Sequence, residues 1–139
     1  MTPHATQKMA RWTYRLMVLC AGVALAGAAG CNNYGKELKF KNVQLFYQGA
    51  ATEAEAKKLG EFLNEIDYNR GGDCSVQLDK TGDTYQIRLV IKDGTQITDD
   101  MRTAYKVIAT AASGKVFNNA PVEIHVCDTQ FKILETIKL

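Results

Sequence analysis

The chain has 139 residues, room for one domain, with 17 Lys plus Arg against 15 Asp plus Glu, 46% apolar residues, four Cys and a single Trp. A charged fraction of 23% beside that apolar fraction excludes a disordered tail, a collagen-like repeat and a disulfide-dense toxin. No G-x-G-x-x-G, phosphate-loop or G-x-S-x-G spacing occurs, so no motif for nucleotide or hydrolase chemistry is present.

Leu16 to Gly30 is the one strongly apolar run, preceded by Lys8, Arg11 and Arg15 and by no acid. That layout is an export signal. The run is shorter than the about 20 residues that cross hydrocarbon, and its second half is mostly Ala and Gly, which suit a peptidase groove. Arg11 and Arg15 are not adjacent, which favours ordinary secretion over the twin-arginine route.

The segment Leu25-Ala-Gly-Ala-Ala-Gly-Cys31 resembles the lipobox of bacterial lipoproteins, where small residues precede a Cys that takes a diacylglyceryl group and becomes the mature N-terminus. The resemblance implies a signal peptide over 1–30, lipidation at Cys31 and a membrane-anchored place in the cell envelope outside the cytoplasm. Ala28 stands where that pattern usually has Leu. Cleavage after Ala28, from the pattern Ala26-Gly27-Ala28, is the alternative and would leave a secreted or periplasmic protein; an uncleaved anchor is the third outcome. Removing 1–30 leaves 14 basic against 15 acidic residues, a net charge near −1, which gives a nucleic-acid partner no basic stripe to use. The lone Trp12 leaves with the signal.

Residues 31–41 are polar and Gly-containing and are expected to be a lipidated N-terminus and tether, with a globular domain over 42–139. Asn42 to Gln48 alternates, with Val43, Leu45 and Tyr47 on one side, as a half-buried strand does. Thr52-Glu-Ala-Glu55 has the form of a capping box, and Ala56, Leu59, Phe62, Leu63 and Ile66 make one helical stripe. Val76 and Leu78, then Tyr85, Ile87, Leu89 and Ile91, predict two strands joined through Asp79 to Asp83. Thr98 with Asp99 and Asp100 predicts a helix start, and Met101, Ala104, Tyr105, Ile108, Ala111, Ala112 and Val116 mark its buried face. Asn118 to Pro121 breaks that helix, Val122, Ile124 and Val126 alternate as a strand, and Asp128 to Gln130 turns into a last strand from Phe131.

The order predicts an α+β two-layer sandwich, ferredoxin-like βαββαβ with an added C-terminal strand, its helices on one face of an antiparallel sheet and its other face wet. Gln44, Gln77, Asp79, Gln86, Arg88, Glu123 and His125 fall on that polar face. Cys74 and Cys127 form a possible disulfide in an oxidising compartment, closing a loop that could contribute about 4 kcal/mol. A ferredoxin-like sheet opposes the bridge, since it would hold the two strands as opposite edges roughly 14 Å apart.

Glu123, His125 and Cys127 share one strand face, followed by Asp128, so a zinc or small-ligand site using Glu123, His125 and Asp128 is the sharper alternative. The plainer reading is a polar strand face, because no second ligand cluster accompanies it; no metal and no cofactor are expected. No catalytic group is expected either, since His125 and Cys127, two apart on a strand, stand near 7 Å apart at Cβ. The candidate surface is Gln86, Arg88, Glu123 and His125. Thr52 to Gly60, Val76 to Tyr85 and Ala120 to Asp128 resemble an uncharacterised domain of membrane-attached bacterial proteins, which implies an attached α+β module and no particular chemistry. The expectation is a non-enzymatic envelope module, held by a lipid anchor, that binds another protein or an envelope component through its polar sheet face or an edge strand.

Overall fold

Six strands and two helices follow one another in the computed structural model, which describes residues 33–70 and 72–139. They are β1 (Lys36–Lys39), β2 (Val43–Tyr47), α1 (Glu53–Glu65), β3 (Cys74–Thr81), β4 (Thr84–Val90), α2 (Asp99–Lys115), β5 (Val122–Cys127) and β6 (Ile133–Lys138). The signal peptide expected over 1–30 and the lipidation expected at Cys31 lie outside the described residues.

Local chemistry accounts for most boundaries. The Thr52 hydroxyl accepts from the Glu55 amide at 3.2 Å while the Glu55 carboxylate accepts from the Thr52 amide at 2.9 Å, so α1 begins with two of its free donors satisfied. Ala56, Leu59, Phe62 and Leu63 form its buried stripe as expected, whereas Ile66 is the C-cap and 40% exposed. Gly60 lies on the same stripe because a Cβ there would stand 2.1 Å from the Phe40 ring, which packs onto α1 from the β1–β2 turn. Thr98 caps α2, with Asp99 and Asp100 at the positive end of its dipole and Lys115 at the negative end. Tyr105, Ala109 and Ala112 are its buried residues; Ala104, expected inside, is exposed. The helix is followed by Asn118 and Asn119, both at positive φ, a conformation that Asn tolerates better than most residues.

The α+β class with two helices is as expected, and the strand order differs from the expectation. The sheet runs β1-β2-β3-β4-β5-β6 in sequence order, not in the interleaved ferredoxin-like order. It is also mixed, not antiparallel: β2 pairs parallel with β3 and β4 with β5, while the other three pairings are antiparallel. Each helix is therefore a crossover to the adjacent strand, and hairpins fill the remaining steps. The β3–β4 hairpin turns at Gly82, whose φ of 59° matches the first central position of a two-residue turn. β1, placed in the tether by its sequence, covers the outer side of β2.

Both helices pack on the face built by Leu45, Val76, Leu78, Ile87, Leu89, Ile124 and Val126, all fully buried against Leu59 and Leu63. The opposite face is wet at its edges, where Gln44 and Thr136 are exposed, but not at its centre. Its Gln77 and His125 are 2% and 6% exposed, and Phe46 and Cys127 are buried beside them. The covering comes from Tyr34, which precedes β1, and Phe131, in the β5–β6 loop. Their rings and that of Phe46 meet edge-on with centroids 5.1–5.9 Å apart.

Candidate functional site

Register assembles the site. Glu37, Phe46, Gln77, Arg88, His125 and Thr136 are successive cross-strand partners, one row spanning all six strands. Asp79, Gln86, Glu123 and Lys138 form the next row. The four residues expected as a surface, Gln86, Arg88, Glu123 and His125, are thus brought together as a two-by-two block on β4 and β5. They are not an open surface, because the Arg88 and Glu123 side chains are only 17% and 22% exposed.

Arg88 organises one half of the block. Its Nη1 donates to Gln77 Oε1 at 2.6 Å and its Nη2 lies 3.6 Å from Asp79 Oδ2, which also accepts from Gln48 Nε2 at 3.1 Å. With the Gln77 carbonyl so engaged, its amide faces the Tyr34 carbonyl and donates to it at 2.9 Å. A guanidinium this covered is stable only because carboxylate and amide oxygens surround it, and removing one partner of such a pair costs about 3 kcal/mol or more. In the other half, His125 Nε2 stands 3.2 Å from Glu123 Oε2, and Lys138 Nζ lies 3.4 Å from Glu123 Oε1. An ionised carboxylate can only accept, so in this contact Nε2 is the donor. Among the described residues, Arg88 Nε and His125 Nδ1 are the buried side-chain polar atoms without a hydrogen-bond partner, and their residues are direct cross-strand neighbours.

Asp128 does not join Glu123 and His125. Its Oδ1 accepts from the Gln130 and Lys132 amides, both at 2.9 Å, and its carbonyl accepts from Phe131 N at 3.0 Å. That pattern holds the loop that carries Phe131 over the sheet, with Phe131 itself at φ 60°. Among the described residues no group of three or more His, Cys, Asp or Glu is placed to hold a metal ion.

The two thiols are free. Cys74 packs with the helix-side core, Cys127 lies on the strand face of Glu123 and His125, and β4 runs between their strands. Two strand spacings, roughly 10 Å, exceed the reach of a disulfide before the opposed faces are considered. Burial, then the neighbouring Asp73 carboxylate, pushes Cys74 up to about 11. Burial also pushes Cys127 up to about 11, against the pull of Arg88. Both are thiols rather than thiolates at neutral pH, hence poor nucleophiles.

Sequence reasoning did not assign the covering residues. Tyr34 lies in the expected tether, and Phe131, expected to open the last strand, lies instead in the loop before β6, which begins at Ile133. Among the described residues no helix is long and apolar enough to cross a membrane. Residues 37–138 match the model of the AF_1994_N family, described as a family N-terminal domain. Comparison with curated proteins and with solved structures gives no match.

Proposed function

The chain belongs to the AF_1994_N family, and we propose that it is a lipid-anchored envelope module which docks a partner protein by strand addition at β6. The anchor would be Cys31, at the end of the lipobox-like run. Tyr34 already belongs to the domain, so the tether shortens to a few residues, a reach of about 10 Å. Such a leash would keep the domain close to the bilayer.

The observation that carries the docking is the contrast between the two sheet edges. β1 is four residues long with Lys36, Glu37 and Lys39 exposed, the charged edge that discourages pairing. β6 has six residues, and exposes Ile133 and Leu134 at 43% and 54% with Leu139 just beyond it at 65%. Its outer amides and carbonyls lie at the end of the strand order, and alternate side chains on the added strand would meet those apolar residues. Glu135 holds β6 in place by a two-pronged pair with Arg102 of α2, at 2.6 and 3.1 Å. The polar sheet face is the weaker docking surface because Tyr34 and Phe131 cover its centre.

A photo-crosslinking residue at position 134 in the full-length membrane-bound chain tests this, with position 37 on β1 as control. The expected result is a discrete adduct from 134, abolished by Ile133→Lys, and none from 37. Equal labelling from both edges, or an adduct indifferent to Ile133→Lys, contradicts it.

A further inference from the structure

Apart from the covered face, a cleft of about 690 Å³ opens at the end of the sheet where β2 and β3 begin and β4 ends. Its size falls within the range of small-molecule sites, about 300–1,000 Å³. Lys39 at the end of β1, Lys41 of the β1–β2 turn and Lys92 after β4 line it, opposed by one carboxylate, Asp73. This is a concentration of positive charge in a domain that holds 14 basic and 15 acidic residues outside the expected signal. No carboxylate within salt-bridge distance meets Lys41 or Lys92 among the described residues, and Lys39 has only Glu37 at 3.6 Å.

Two tyrosines complete the lining. Burial, then the adjoining Tyr105 hydroxyl, raises Tyr68; burial also raises Tyr105. Both remain neutral across the physiological range and so do not repel an anion; the hydroxyls bond to each other, which uses one O–H and leaves the other as a donor. Phe40 and Ile91 add apolar wall, more than a bare inorganic ion requires.

We propose that this cleft binds a phosphate ester, its phosphoryl group held among Lys39, Lys41 and Lys92 and its organic part lying along Phe40 and Ile91. Three compact ammonium groups match the charge of a phosphoryl group better than that of a single carboxylate, and lysine serves such groups as a point charge. Two sources share the chemistry, the glycerophosphate headgroup of an anionic phospholipid and a soluble phosphate ester. The site is independent of the β6 edge and of acylation at Cys31, so it stands or falls by itself.

The test titrates the full chain, purified in neutral detergent, with sn-glycerol 3-phosphate and with dihexanoylphosphatidylglycerol, using glycerol as the uncharged control, and reads binding by calorimetry at low salt. Saturable binding of the soluble ester assigns the free source; saturable binding of the short-chain lipid alone assigns the headgroup. In either case Lys39→Gln, Lys41→Gln and Lys92→Gln each weaken binding about threefold, and together about thirtyfold, with the unfolding midpoint unchanged because all three side chains are exposed. Added salt weakens binding in the same direction. No saturable binding of either anion, binding of glycerol as tight as that of its phosphate, or binding that survives the triple substitution overturns the proposal.

Discussion

Replacing Phe131 tests whether its ring holds the cover over the polar row. The ring meets Tyr34 at 5.1 Å and Phe46 at 5.9 Å, both edge-on. Each such pair contributes about 1 kcal/mol beyond area burial, and the half-buried ring adds about 1 kcal/mol more, so Phe131→Ala should cost about 3 kcal/mol. Phe131 also sits at φ 60°, which disfavours any residue with a Cβ by about 1 kcal/mol. Phe131→Gly loses the same ring contacts and sheds that strain, so it should cost about 2 kcal/mol, reversing the usual order in which glycine is worse than alanine. Denaturant unfolding of the full chain followed by circular dichroism reads the difference, and labelling of Cys127 by a thiol reagent reports opening of the cover. If both variants lie within about 0.5 kcal/mol of the parent, or alanine is the more stable of the two, the argument from ring packing and backbone strain fails.

Two other perturbations probe the helix face. Gly60→Ala should gain about 1 kcal/mol of helix propensity and lose more to the clash with Phe40, for a net destabilisation of about 1–2 kcal/mol; Phe40→Ala in the same chain should abolish that penalty, which a double-mutant unfolding cycle checks. Burial alone would raise the Glu55 carboxyl, but the Tyr85 hydroxyl, the Thr52 amide and Lys80 together hold it below its ordinary value of 4.5. The unfolded chain thus binds the proton more readily than the folded one, so this stabilisation is fully present above 4.5 and is lost as pH falls through the folded value. Tyr85→Phe should flatten the loss of stability on acidification in a series of unfolding curves; an unchanged acid slope would rule out Glu55 as its source.

The parts legible in the sequence are those governed by near neighbours. Thr52 and Glu55 announced α1, Thr98 announced α2, and the alternation of Tyr85, Ile87 and Leu89 marked β4 and its buried face. β1 escaped because Lys36-Glu-Leu-Lys39 is an edge strand whose lysines erase the apolar period of two, the same property that protects it from pairing. Strand order escaped because nothing local specifies whether a crossover lands on the adjacent strand or skips one. The polar residues of the second face were read correctly as sharing a face and, at its centre, incorrectly as wet, since period two cannot separate a solvated row from one satisfied by hydrogen bonds beneath aromatic rings. Arg88, Gln77 and Asp79 complete one another across two strands, and Tyr34 reaches Gln77 from 43 residues away. Such contacts are created by register. The Cys74–Cys127 bridge, a possibility that the expected sheet already opposed, fits neither strand parity nor strand spacing in this order, because both depend on the topology that local pattern leaves open.

The intact mass of the protein extracted from membranes tests the anchored-module account most directly. The account predicts a chain that begins at Cys31, carries acyl groups there, retains Cys74 and Cys127 as thiols and shows no tryptophan emission. A chain that retains Trp12, or one that begins after residue 28 or 30 without any acyl group, would contradict it.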